Sequence, residues 1–127
     1  MLWQRAQEFA AELMLLTREL PRDRECDITC RQLLRAGTSI AANIAEGYGR
    51  YSQAAYRNHL SIARGSAFET ESWIDLLVRT SYLPPIRGEE LIATCKEVQK
   101  LVTSRMKMLS QGKTYAVKDD ALSYSTE

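Results

Sequence analysis

Two groups of polar residues have spacings that could support acid–base chemistry. Ser39, Asn43 and Glu46 are four and three residues apart, so they share one face of a helix. Ser66 and Glu69 are three residues apart in the next helical segment. Such carboxylates could act as catalytic acids, or the polar groups could form a network that fixes how two helices pack, because a buried carboxylate needs partners. The small residues around both groups favour the structural network.

An enzymatic role would require an acid–base pair, such as Glu46 and Glu69, in an accessible cleft. His59 is the only histidine, and no serine–acid arrangement in the sequence suggests a catalytic triad with it. The segment GYGR lacks the lysine and the serine or threonine that complete a phosphate-binding loop. We therefore predict that the protein is not an enzyme.

The cysteines Cys26, Cys30 and Cys95 are odd in number, which favours reduced thiols over disulfides. Cys26 and Cys30 could share a helix face, and His59 and Cys95 could join them around a metal ion. Their spacing matches no familiar zinc motif. We predict neither a metal site nor a cofactor.

Basic residues are concentrated in two stretches of a chain whose formal net charge is only +1. Residues 28–66 contain five arginines and one carboxylate, and residues 98–118 contain five basic residues and no carboxylate. Such blocks can attract phosphate backbones, or they can be solvated faces that differ in charge. No helix-turn-helix or zinc-finger pattern predicts base readout. The residues that we expect to contact phosphates are Arg31, Arg35, Arg50, Arg57, Arg64, Lys100, Arg105 and Lys107, with Lys113 and Lys118 adding charge near one end.

Three tyrosines, Tyr48, Tyr51 and Tyr56, flank Arg50. Aromatic side chains interleaved with arginine can stack on unpaired bases. Tyrosines at a corner between two helices more often pack the end of a bundle, and we favour that interpretation.

Four segments with a helical spacing of apolar residues must position these groups. Proline and glycine residues separate the segments. Short connections between four helices predict an all-α fold, an antiparallel up-and-down four-helix bundle. The bundle domain is expected to occupy residues 1–112, and residues 113–127 form a polar tail that should fray. The predicted helices are residues 2–20, 27–46, 52–82 and 88–109.

Several residues have predicted local roles in these helices. Asp27 and Ser52 are the expected N-caps of the second and third helices. Gly47 is expected to end the second helix in a left-handed conformation. Gly65, inside the third helix, costs about 1 kcal/mol relative to alanine and so suggests that another backbone lies close by. Ile28 belongs to the predicted apolar stripe of the second helix.

The third helix carries two apolar stripes, the second of which contains Ile62, Trp73 and Leu76. One stripe can face the core while the other contacts a subunit or a partner. The second stripe motivates an alternative function, a protein-interaction module without affinity for nucleic acid.

The sequence contains no apolar run of the roughly 18 residues needed to cross a bilayer. The N-terminal segment carries Glu8 and Glu12, so it lacks the uninterrupted apolar stretch of a signal peptide. We expect a cytoplasmic protein without membrane contact.

The motifs SIAANIAEGYGR, residues 39–50, and IARGSAFE, residues 62–69, resemble the paired signatures of the bacterial four-helix bundle family named after the 23S rRNA intervening-sequence proteins. The resemblance extends from Leu2 to about Leu109. It departs at Ala41, where the family often has proline, so the second helix is expected to be less kinked.

This resemblance implies a ring-shaped homopentamer of four-helix bundles around a central channel. It also covers, in architecture more than in motif, the accessory variability determinant (Avd) proteins of diversity-generating retroelements, which bind nucleic acid and a reverse transcriptase. We therefore expect a non-enzymatic homo-oligomeric scaffold that binds RNA or DNA through basic surface, with a reverse transcriptase as a candidate partner.

Overall fold

A computed structural model describes residues 1–111, and these residues form four α-helices. Short connections join the helices, so consecutive helices run antiparallel, and each packs on the next. The described residues contain no strand, which confirms the predicted all-α class and is consistent with a four-helix bundle. The helices are α1 (Leu2–Glu19), α2 (Arg24–Tyr48), α3 (Gln53–Arg79) and α4 (Pro85–Ser110).

A single hydrophobic core holds the four helices together. Its side chains come from the helical stripes of the sequence, and burying each one fully contributes roughly 1.5–3 kcal/mol. The largest side chains that are removed almost completely from solvent are Phe9, Leu13, Leu33, Ile40, Ile44, Leu60, Ile74, Leu77, Leu91, Val98 and Val102.

Helix α2 begins earlier than predicted, because Asp23 and not Asp27 is its N-cap. The Asp23 carboxylate accepts a hydrogen bond from the Cys26 amide at 2.8 Å. Asp27 therefore lies in the first turn. Ser52 caps α3 as predicted, since its hydroxyl accepts from the Ala55 amide at 3.0 Å.

Helix α4 also begins before its predicted start, at Pro85. Proline fits the first turn of a helix because the amide it lacks would have no partner there. Helix α3 ends at Arg79, shortly before the predicted boundary at residue 82.

Two glycines have roles different from those predicted. Gly47 is buried inside the last turn of α2, and Gly49 caps the helix with a right-handed φ of −77°. A Cβ atom at Gly47 would lie 2.5 Å from the Cβ of His59, so close approach of α3 explains this glycine. Gly65 is exposed, and apart from the neighbouring backbone of α3 itself no atom of the described chain lies within 4 Å of a Cβ built there.

One member of the predicted stripe of α2 lies outside the core. Ile28 is 50% exposed, because it lies about 140° around the helix from the buried Leu33, whereas Cys26 lies two turns before Leu33 on the buried side. The predicted tail and its Lys113 and Lys118 lie outside the described residues. Within residues 1–111, each helix is too short or too polar to cross a membrane.

Candidate nucleic-acid interface and the α2–α3 polar network

The polar residues of the two signature motifs meet across α2 and α3. The hydroxyls of Ser39 and Ser66 lie 2.9 Å apart. The Asn43 amide donates to both the hydroxyl and the carbonyl oxygen of Ser39, each at 2.9 Å. Small neighbours allow this approach, and each polar group compensates another that would otherwise lose water.

His59 extends this network, a role that the sequence analysis did not assign. Its Nδ1 lies 3.2 Å from Oδ1 of Asn43, and its Nε2 lies 4.0 Å from a carboxylate oxygen of Glu46. The short connection between α2 and α3, which begins at Gly49, could have indicated this role of His59. In an antiparallel helix pair, the residue facing the last turn of α2 lies in the first turns of α3, where His59 occurs.

The two carboxylates of the motifs have separate partners. Glu46 accepts from Arg50 at 2.6 Å. Glu69 forms an ion pair with Arg35 and accepts from Nε1 of Trp73 at 3.0 Å. His59, which lies beside Glu46, and Glu69 are both on α3. They are ten residues apart, which corresponds to about 15 Å along the helix. The two carboxylates therefore do not share the cleft that an acid–base pair would require.

A groove with a volume of about 350 Å³ runs between α3 and α4. Nε of Arg64 donates to the Thr103 hydroxyl at 2.9 Å, which connects the two helices across the groove. The Arg64 guanidinium lies 5.0 Å from the centre of the Phe68 ring, and Phe68 is 46% exposed. The residues that line this α3–α4 groove are Arg64, Phe68, Gln99, Lys100, Thr103, Ser104 and Lys107.

Two rows of basic residues border the α3–α4 groove. Arg57 and Arg64 are seven residues apart on α3, as are Lys100 and Lys107 on α4, and a spacing of seven keeps side chains on one helix face. Within residues 1–111, none of these four has a carboxylate within ion-pair distance. Their positive charge is therefore available to a ligand.

Glu71 is the carboxylate at the far end of the groove. It pairs with Lys96 at 3.4 Å and accepts from Nε2 of Gln99 at 2.9 Å. Its charge is thus compensated locally, and the groove stays strongly positive.

The other four predicted phosphate contacts lie elsewhere. Arg35 and Arg50 are held in the ion pairs with Glu69 and Glu46. Arg105 donates to the Tyr56 hydroxyl at 3.1 Å and borders a shallow cleft beside the start of α1. Arg31 lines a groove at the opposite end of the bundle, together with Arg18, Arg22 and Asp27.

The charge at that opposite end is balanced. The lining of this second groove holds three arginines and Asp27, and the stretch of residues 18–31 contains four arginines and four carboxylates, so neighbouring carboxylates offset the attraction for phosphate there. Half of the predicted basic set is thus brought to the α3–α4 groove or its border, and half is not.

Comparison with known proteins agrees with the signature motifs. The family model of the 23S rRNA-intervening sequence protein matches residues 1–104. The chain belongs to this family. A crystal structure of a protein of unknown function from the S23 ribosomal protein family of Bacteroides thetaiotaomicron is similar, with 36% sequence identity and a TM-score of 0.79 over 84% of this chain and 99% of that one. No curated protein matches the chain.

The part matched by the family model contains the α2–α3 polar network and most of the α3–α4 groove, while Lys107 lies beyond it. The tyrosines of the α2–α3 corner lie at the same end of the bundle. Tyr48 and Tyr56 pack edge to face with ring centres 5.9 Å apart, as expected for a packed corner, whereas Tyr51 is fully exposed.

The cysteines of this family member do not form a metal centre with the histidine. Cys26 and Cys30 have sulfurs 3.8 Å apart on α2, whereas Cys95 donates to the Ala67 carbonyl at 3.1 Å. Burial raises the pKa of Cys30 and that of Cys95 to about 12, so both are protonated thiols at neutral pH. Across residues 1–111, no three metal-binding side chains come together.

Proposed function

We propose that this protein is a non-enzymatic, homo-oligomeric scaffold that binds the phosphate backbone of RNA or DNA in the α3–α4 groove. The proposal is supported by the lining of this groove by Arg64, Lys100 and Lys107, with Arg57 two turns before Arg64 on the same face of α3. None of these four cations has a carboxylate partner within residues 1–111. Cations that line a groove concentrate the electric field there and attract a polyanion.

Contacts to phosphates, and not to base edges, fit this arrangement. The cations lie along the side of a bundle, where no helix projects as a recognition helix would into a major groove. Phosphate contacts position a nucleic acid without selecting a sequence. The protein is therefore expected to bind many sequences with similar affinity.

Self-association would use a different surface, the α2–α3 face, which we define by Ile28, Ile62, Gly65 and Leu76. Ile28, Ile62 and Leu76 are 50%, 46% and 38% exposed, and the open space at Gly65 leaves room for another helix. A ring of five copies is the assembly implied by the resemblance of the signature motifs. In any closed ring the α3–α4 groove is repeated in each subunit, so the attraction for a polyanion increases.

A reverse transcriptase is the proposed protein partner, on the resemblance to the Avd proteins alone. Co-purification of the two proteins from cells that express both tests this part. If the reverse transcriptase does not co-purify, it is not the partner, and the proposed binding of nucleic acid is unaffected.

The central experiment compares two triple variants of equal charge change. R64Q/K100Q/K107Q removes the three cations that line the α3–α4 groove, and R18Q/R22Q/R31Q removes the three arginines that line the groove at the opposite end. Fluorescence anisotropy with labelled mixed-sequence RNA and DNA at 0.1 M salt should show an affinity loss of about 100-fold for the first variant, as expected for three lost phosphate contacts. The second variant should bind nearly as the wild type does. Equal affinities for wild type and the groove variant would contradict the proposal.

The exposed apolar residues Ile62 and Leu76, with half-buried Trp73, favour a second candidate, a protein-interaction module without affinity for nucleic acid. This candidate predicts association that is insensitive to salt, because apolar contacts are not screened by ions. Wild-type protein that binds a specific protein partner but no RNA or DNA would support it.

A further inference from the structure

Phe68 is unusual among the side chains that border the α3–α4 groove, because it is a large aromatic ring left 46% exposed beside rows of cations. A charged phosphate backbone alone gives no reason for an aromatic ring at this place. An exposed ring would more readily be explained by a ligand that offers both phosphates and flat apolar surfaces.

The ring is also held in position. The Arg64 guanidinium lies 5.0 Å from the centre of the Phe68 ring, and the hydrogen bond from Arg64 to Thr103 fixes that guanidinium at the groove. Guanidinium planes and aromatic rings both accept unpaired bases by stacking. A base can therefore extend the Arg64–Phe68 stack from the solvent side.

We propose that the α3–α4 groove takes single-stranded nucleic acid, with one base stacked on the Arg64–Phe68 pair and the adjoining phosphates on Lys100 and Lys107. This inference rests on the proposed function and adds that the nucleic acid is single-stranded. The bases of a duplex are stacked on each other and paired, so they cannot enter a cleft of about 350 Å³ between two helices. A duplex can therefore use only the cations.

The test separates the aromatic ring from the charges. Phe68→Leu keeps an apolar side chain of similar volume but removes the aromatic face, and Phe68→Trp keeps an aromatic face. Leu15→Ala is the matched control, because Leu15 is a large apolar side chain that is 56% exposed on α1, away from both the α3–α4 groove and the α2–α3 face. The probes are labelled 12-nucleotide RNA and DNA single strands, a 12-base-pair duplex, and a DNA strand of the same length with abasic positions throughout.

We expect the wild type to bind the RNA or DNA single strand more tightly than the duplex. Phe68→Leu should weaken single-strand binding about 5- to 100-fold, the loss expected for one stacked base. It should change duplex binding and abasic-strand binding less than about 2-fold, since neither offers a free base. Phe68→Trp and Leu15→Ala should bind as the wild type does. The RNA and DNA arms show which sugar the groove prefers.

Equal effects of Phe68→Leu on single strands, duplex and abasic strand would overturn this inference. So would a change of oligomeric mass in Phe68→Leu by light scattering, since the ring would then be a subunit contact. In both cases the proposed function stands as long as R64Q/K100Q/K107Q loses binding. Failure of the wild type to bind any of the four probes would overturn the proposed function and this inference together.

Discussion

Asp23 connects two parts of the bundle that are distant in sequence. One carboxylate oxygen caps α2 through the Cys26 amide, and the other accepts from the Tyr82 hydroxyl at 2.7 Å. The hydrogen bond from Tyr82 is the main reason why the pKa of Asp23 lies below its ordinary value, with the capping bond second. The same bond raises the pKa of Tyr82 to about 12. One side chain thus holds both the start of α2 and the α3–α4 connection.

We predict that the stability of the protein falls at acid pH, and that this fall is smaller in the variant Tyr82→Phe. Because folding lowers the pKa of Asp23, its stabilisation is complete above the unfolded pKa of about 3.9 and is lost as the pH falls through the lower folded pKa. Urea unfolding measured between pH 5 and pH 2 should show that the wild type loses more stability than Tyr82→Phe. Parallel curves for the two proteins would mean that this hydrogen bond does not control the titration of Asp23.

Close packing of α2 on α3 depends on Gly47, where any side chain would meet His59. A Cβ there would also lie 3.2 Å from the carbonyl oxygen of Tyr56, and a backbone atom cannot move aside as a flexible side chain can. This contact keeps His59 within reach of Asn43 and Glu46. The small residues of the first signature motif are therefore explained by helix approach and not by turn geometry.

At the scale of the helix pair we predict that Gly47→Ala destabilises the protein by about 1–3 kcal/mol, the usual cost of an overpacked core. Gly65→Ala is the matched control, because it adds the same methyl group to α3 where there is open space. Its effect on the single chain should be neutral or stabilising by up to about 1 kcal/mol. Chemical denaturation of both variants at low protein concentration measures these effects. A Gly47→Ala protein as stable as the wild type would contradict the close contact.

The sequence predicted the helices well and the contacts between them less well. Apolar periodicity and the proline and glycine breaks were sufficient for four helices. Antiparallel pairing brings the two polar groups together, although the individual contact between Ser39 and Ser66 was not predicted. The start of α2 was misplaced because both Asp23 and Asp27 can cap a helix, and the contact that selects Asp23 comes from Tyr82. That contact exists only after α3 and α4 have packed.

The same limit applies to the candidate interface. The sequence identifies eight basic residues in two blocks, but their grouping depends on how far each helix is rotated about its axis. Arg35 faces Glu69 on α3, whereas Arg64 faces Thr103 on α4. Periodicity within one helix does not contain this information, which also explains why the pairing of Arg64 with Phe68 was not anticipated.

Within residues 1–111, the basic α3–α4 groove and the apolar α2–α3 face are exposed surfaces of different character. Separation of the two allows one surface to bind copies of the chain while the other remains open. An assembly would then multiply the groove without covering it.

For the assembled molecule we predict that Ile62→Glu lowers the oligomeric mass measured by size-exclusion chromatography with light scattering. A charge introduced into an apolar interface must lose its water without gaining a partner. Leu15→Glu is the control, because Leu15 is 56% exposed on α1, away from the α2–α3 face. The expected mass of the wild type is that of a pentamer. A wild-type monomer would remove the proposed assembly, and an unchanged mass for Ile62→Glu would place the subunit contact elsewhere.

The salt dependence of nucleic-acid affinity reports how many phosphates the α3–α4 groove neutralises. Each neutralised phosphate contributes about −0.7 to −0.9 to the slope of the logarithm of the association constant against the logarithm of salt concentration, so four groove cations predict a slope of about −3 per site. The variant R64Q/K100Q/K107Q should make the slope shallower by about 2 units, while R18Q/R22Q/R31Q should leave it unchanged. A flat wild-type slope, or the same slope for both variants, would contradict the assignment of the α3–α4 groove as the phosphate-binding surface.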